Sequence, residues 1–150
     1  MTVEGVLGRL MMSIGTVVAG FVPLLVDLSA THVLNPAWPA HARLHEVWLL
    51  TTGSLLALVA LSFIWFYRDR PQFGIAMGAL LGSVLLGGFF VASATSSLYG
   101  GVLVDPATAH MMPNQDLAWG LPLNSVVFGL AWLFLLSGAA LTTGATRGGW

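Results

Sequence analysis

Val47-Trp-Leu-Leu-Thr-Thr-Gly-Ser-Leu-Leu-Ala-Leu-Val-Ala-Leu-Ser-Phe-Ile-Trp-Phe-Tyr67 contains no Asp, Glu, Lys, Arg or His. A helix that crosses the hydrocarbon core of a bilayer needs about 20 predominantly apolar residues, and this stretch supplies them. A helix on the surface of a soluble domain would carry a polar face, whereas here a few hydroxyls and Gly53 are the only interruptions. Outward from it lie three further runs of the same kind: Leu10 to about Leu28, Phe73 to about Leu98, and Leu121 to Thr142. The 150-residue chain is 57% hydrophobic and only 7% charged. Apolar content gathered into long runs is the mark of transmembrane helices and not of a soluble core. The expected fold is all-α: a single integral membrane domain over residues 1–150, a bundle of four transmembrane helices with spans near 10–28, 41–67, 73–98 and 121–142.

Arg9 precedes the first apolar run, as in a secretory signal peptide, but the run is longer than the roughly 7–15 residues of a signal core and reads as a span. Cysteine is absent, which removes disulfides, thiolate catalysis and Cys-ligated metals together. The net charge of −1 gives no reason to expect nucleic acid or another polyanion as partner. All five basic residues are arginine. Arg9, Arg68, Arg70 and Arg147 fall on one side of a four-span chain and Arg43 alone on the other. That bias predicts both termini in the cytoplasm, in a cell (inner) membrane.

The Arg68-Asp69-Arg70-Pro71 turn is short, so spans two and three are expected to form an antiparallel hairpin. Pro36 and Pro39 exclude a helix throughout the first connection, and Pro39 suits a helix start because its missing N–H would be unpaired there. One helix is therefore expected from His41 to Tyr67. The connection from Tyr99 to Gly120 holds Gly100, Gly101, Pro106 and Pro113 and is longer than a hairpin needs, a length usually tied to function. Pro23 should kink span one. Gly74, Gly78 and Gly82 recur every four residues, a spacing that lets helix backbones approach closely, within the bundle or between subunits. Trp38, Trp48, Trp65, Tyr67 and Trp119 lie near span ends, as interfacial aromatics do.

The chemistry is concentrated. All four histidines and four of the six carboxylates fall in two segments on the same side of the membrane. The richer one reads Asp27-Leu-Ser-Ala-Thr-His32-Val-Leu-Asn35-Pro36-Ala-Trp38-Pro39-Ala-His41-Ala-Arg43-Leu-His45-Glu46. Ionisable groups beside a bilayer core are costly to keep and point to a functional site. His41 and His45 share a helix face one turn apart, and neutral imidazole is the commonest metal ligand. The pair reads as holding a metal or metal cofactor, or else as part of an interfacial hydrogen-bond network in which Arg43 pairs with Glu46 or Asp27. Asp27 reads equally as a helix-end residue or as a ligand. His110 and Asp116 read as exposed loop residues. Asn114, just before span four, can cap a helix or orient a substrate oxygen, and Tyr99 reads as an interfacial anchor.

Three patterns, in order along the chain, resemble those of styrene oxide isomerase, a small four-span membrane enzyme. They are Ala42-Arg43-Leu44-His45 at the entrance to span two, Tyr99 at the end of span three, and Pro113-Asn114-Gln115 ahead of span four. The resemblance implies a trimer holding haem b between subunits. It places His45 on the haem iron and Tyr99 and Asn114 around the substrate; Arg43 and His41, close to His45 in sequence, are further candidates to contact the cofactor. The ferric iron would act as a Lewis acid on the oxygen of a small apolar epoxide, and a 1,2-shift would give a carbonyl product. Thr51 stands where the family carries a second asparagine, and His41, His32 and Asp27 are not part of the family's pattern.

Three readings follow. The leading one is a haem-dependent membrane isomerase of this type. The second is an enzyme with non-haem iron or zinc held by Asp27, His32, His41 and His45. The third is a non-enzymatic membrane bundle: a scaffold, transporter subunit or small carrier. The lipid bilayer and further copies of the chain are expected partners in each.

Overall fold

A computed structural model describes residues 2–67, 69–111 and 120–147. It contains four long helices: α1 (Val3–Asp27), α2 (Ala40–Phe66), α3 (Pro71–Ala94) and α4 (Leu123–Arg147). Helix α1 begins at Val3, before the apolar run opens at Leu10, because Thr2 caps it. The Thr2 hydroxyl accepts from the Gly5 N–H at 3.1 Å, and Glu4 complements the positive end of the helix dipole. The helix continues through Pro23 to Asp27. Pro23 withdraws the donor from the Ala19 carbonyl, and next to it the Ser54 hydroxyl of α2 donates to the Gly20 carbonyl at 2.8 Å.

Helix α2 runs unbroken from Ala40, directly after Pro39. Pro71 opens α3 only a few residues after α2 ends, which gives the expected hairpin. The third span was expected to reach Leu98, but α3 stops at Ala94. Hydroxyls compete with the backbone there. Thr95 Oγ1 donates to the Val91 carbonyl at 2.8 Å, a short 3-10 turn covers Ser96–Leu98, and the Gly101 N–H returns to the Ser96 carbonyl at 2.9 Å. Gly100 sits at φ 72°, a backbone conformation that favours glycine.

The helices form an antiparallel ring in chain order, with α1 packing most extensively on α4. Met12, Ile64, Ile75, Leu86, Ala131 and Leu135 make the core. Small residues set the spacing of the α1–α4 seam. A methyl group on Gly138 would meet the Met12 nitrogen at 2.8 Å and Met11 Cβ at 2.9 Å. The Gly74, Gly78 and Gly82 repeat is likewise used inside the chain: Gly74 faces Phe63 and Tyr67, Gly78 faces Ile64 and Ala60, and Gly82 faces Leu135 and Thr16. Of the two uses open to this repeat, the bundle takes it. Trp65 is more than an interfacial anchor, since its indole N–H crosses to the Ser13 hydroxyl at 2.8 Å. Trp132 does the same to Ser83 at 3.0 Å.

All four helices are long and apolar enough to cross a membrane, the make-up of a multi-pass integral membrane protein. In an 18-residue apolar window of each helix, only 22–28% of the residues are buried inside the bundle. Many large apolar side chains, Leu55, Leu80, Leu130 and Leu133 among them, face outward, and lipid or another copy must cover them.

Candidate functional site

The histidine-rich segment closes one end of the bundle, between α1 and α2. Its connection is a chain of tight turns: Val33 N–H to Asp27 O at 3.0 Å, Leu34 N–H to Ser29 O at 2.9 Å, and Asn35 N–H to His32 O at 2.9 Å. The Asn35 side chain accepts from the Ala37 N–H at 2.9 Å, a side-chain turn that delivers the chain to Pro39. From Ala40 the backbone is helical, and this places His41 and His45 on one face.

Two separate constellations result. In the first, Asp27 Oδ1 lies 3.6 Å from His32 Nδ1. The buried Thr31 hydroxyl also touches that nitrogen at 2.8 Å and contacts the Ser29 hydroxyl at 2.7 Å. The His32 ring meets Trp38 edge-on, with centroids 5.5 Å apart. Glu46, half-buried on the inward side of α2, is within electrostatic reach of both Asp27 and His32. In the second, the Nε2 atoms of His41 and His45 are 3.0 Å apart. His45 also stacks on Trp48, with centroids 5.9 Å apart and planes at 27°. This second constellation points out of the bundle. Its neighbours Leu44, Trp48 and Leu49 are 63%, 64% and 66% exposed.

The four proposed non-haem ligands thus fall into two pairs. Among the described residues no group of three or more His, Asp or Glu side chains is arranged to hold a metal ion. The expected pairing of Arg43 with Glu46 or Asp27 does not form among the described residues; Asp27 pairs with His32 instead. The reason is local, because the Val33-to-Asp27 backbone bond folds the loop back and brings His32 to the end of α1. Arg43 is half-buried and, two residues before His45, lies about 160° round the helix from it.

Thr51 is exposed, but six residues past His45 it lies about 120° round the helix. Thr52, seven residues past, is exposed and within about 20° of His45. Thr52 and Trp48 are the residues that a reading by motif alone passes over, and the i+3 and i+7 spacing from His45 was the signal for both. Tyr99 is 62% exposed, and its hydroxyl donates to the Ala92 carbonyl at 2.6 Å, folding the ring back over the end of α3. It makes no hydrogen bond or ring contact with the histidines among the described residues. His110 is exposed on a 3-10 turn over Ala109–Met111. Asn114 and Asp116 lie outside the described residues.

The fold and site define a four-helix membrane-type bundle with an outward-facing pair of histidines at one end. The chain belongs to DUF6640, a family of unknown function, whose sequence profile matches residues 11–137. The match takes in both the histidine-rich segment and the long third connection. No curated protein and no solved structure matches the chain.

Proposed function

We propose that the protein is a haem-binding membrane enzyme resembling styrene oxide isomerase, which converts a small apolar epoxide into a carbonyl compound. One observation carries the reading: His45 projects away from its own bundle, exposed and surrounded by exposed Leu44, Trp48 and Leu49. An imidazole among apolar side chains on a surface that lipid would otherwise cover is expensive unless something outside the bundle engages it.

The residues present fit haem b at this place. His45 Nε2 is engaged only by His41 within the described chain, and exchanging that contact for iron needs no rearrangement of α2. His45 would be the one protein ligand to the iron, which would leave the iron able to take a substrate oxygen. When bound, ferric haem would supply Lewis-acid polarisation of the epoxide oxygen, with isomerisation by a 1,2-shift and no net redox change. Trp48, Leu49 and Leu55 would wall the site against water and admit an apolar substrate from the bilayer. Tyr99 and Asn114, by resemblance, would orient the substrate oxygen, and Thr52 would offer a hydroxyl in line with His45. Tyr99 would serve the site of a neighbouring copy, since its own chain directs it to Ala92. We assign a homo-oligomer, a trimer by resemblance, with the cofactor between subunits, both termini cytoplasmic and the histidine end outside.

The test is the absorption spectrum of detergent-purified protein supplied with haem, beside a His45→Ala variant. A Soret band in the wild type that is lost in the variant supports the reading, and no band in either rejects it.

A further inference from the structure

The exposed His41–His45 pair has a geometry that haem ligation by His45 alone does not use. The two Nε2 atoms are 3.0 Å apart, with the ring planes at 86°. Two nitrogens this close can both reach one ion at metal–nitrogen bonds of about 2.0–2.1 Å, in neighbouring positions. Among divalent first-row ions copper(II) leads in affinity for such nitrogen sites, and it accepts two cis imidazoles in a tetragonal arrangement.

We propose that His41 and His45 form a two-histidine site for a single copper(II) ion in the haem-free protein. The pair is already built. Helix α2 is continuous from Ala40, so the two side chains leave one face a single turn apart. Trp48 holds the His45 ring from the other side. In the resting arrangement one imidazole Nε2–H donates to the other Nε2; for copper to bind, that proton moves through water to Nδ1 of its own ring, so that both Nε2 atoms offer a lone pair. The two rings, both on exposed residues, then re-orient by side-chain rotation so that both lone pairs meet at one point. The two remaining positions in the plane face outward and take water or a small ligand. His32 stands apart, engaged with Asp27 and Thr31, and His110 sits on the third connection. Because both uses require His45 Nε2, copper and haem exclude each other, and only copper takes a nitrogen ligand from His41.

The test uses full-length protein without an affinity tag, purified free of haem, with one equivalent of copper(II) followed by electron paramagnetic resonance. The expected result is a tetragonal signal with nitrogen coupling in the wild type. It should be lost in His41→Ala and in His45→Ala and kept in His32→Ala and His110→Ala. No stoichiometric signal in the wild type, or copper retained in His41→Ala, overturns the proposal. The Soret band of the same proteins after haem addition separates this inference from the haem reading. Copper lost in both variants with no Soret band in any preparation upholds the metal pair and sinks the haem reading. A Soret band together with copper retained in His41→Ala does the reverse.

Discussion

The His45 imidazole lies over the indole of Trp48, stacked at 27° with ring centroids 5.9 Å apart, and both rings face out of the bundle. Trp48 is therefore a wall of the proposed site as well as a residue at the membrane boundary. Replacing it with leucine keeps an apolar surface but removes the flat partner that restrains His45. Haem titration of Trp48→Leu should show weaker binding than wild type with the Soret band still present. Unchanged affinity would mean that the stacking has no part in holding the ligand.

The helical position of the two threonines gives a sharper contrast. Thr52 follows the line of His45 and Thr51 does not. In a turnover assay with a styrene-type epoxide, Thr52→Val should reduce the rate while Thr51→Val leaves it close to wild type. The opposite ranking would show that the site wraps round the other side of α2.

The α1–α4 seam predicts a stability difference between two glycines. Gly138→Ala must push its methyl against the Met12 nitrogen and Met11 Cβ, each under 3 Å away, and overpacking of this kind costs about 1–3 kcal/mol. Gly88→Ala meets nothing within 4 Å and, mid-helix, should gain about 0.5–1 kcal/mol from helix propensity. Thermal unfolding in detergent should therefore move down for the first and slightly up for the second.

Trp65 and Ser13 join α2 to α1 by one side-chain hydrogen bond of 2.8 Å. Such bonds inside membrane bundles are worth about 0.6 kcal/mol on average. A double-mutant cycle of Trp65→Phe and Ser13→Ala should return a coupling of about that size. A coupling near zero would show the contact to be incidental.

The chain lacks cysteine, so single cysteines report cleanly on subunit contacts. Leu55 is 58% exposed and lies about 80° round α2 from His45, while Ala57 is fully buried. In native membranes under mild oxidation, Leu55→Cys should give disulfide-linked dimers and Ala57→Cys should not. Monomer from both would show that Leu55 does not meet its own copy about a symmetry axis.

Much of the architecture was legible because the bilayer imposes a simple rule on sequence: long apolar runs, with prolines and arginines between them. The continuous helix from Pro39 into the second span and the Arg70–Pro71 hairpin followed from that rule. The end of α3 did not, since the Thr95 hydroxyl turns onto the Val91 carbonyl and the Ser96 carbonyl accepts from the Gly101 N–H, ending the helix before the apolar run is spent. Nor could spacing say whether Gly74, Gly78 and Gly82 serve the bundle or an interface, because both demand the same small residues; the contacts with Ile64 and Leu135 decide it. At the site, the i,i+4 rule placed His41 beside His45. Sequence proximity misled for Asp27 and His32, which are near in the chain yet turn to each other and away from α2's histidines. A loop's direction depends on which backbone bonds it closes, here Val33 to Asp27, and no periodicity encodes that.

The most direct measurement of the central claim is the visible spectrum of the purified protein after haem supplementation, taken for the wild type and for His45→Ala. A Soret band that saturates with bound haem is expected in the wild type and should disappear in the variant. A wild type that remains colourless, or a band that His45→Ala leaves unchanged, contradicts it.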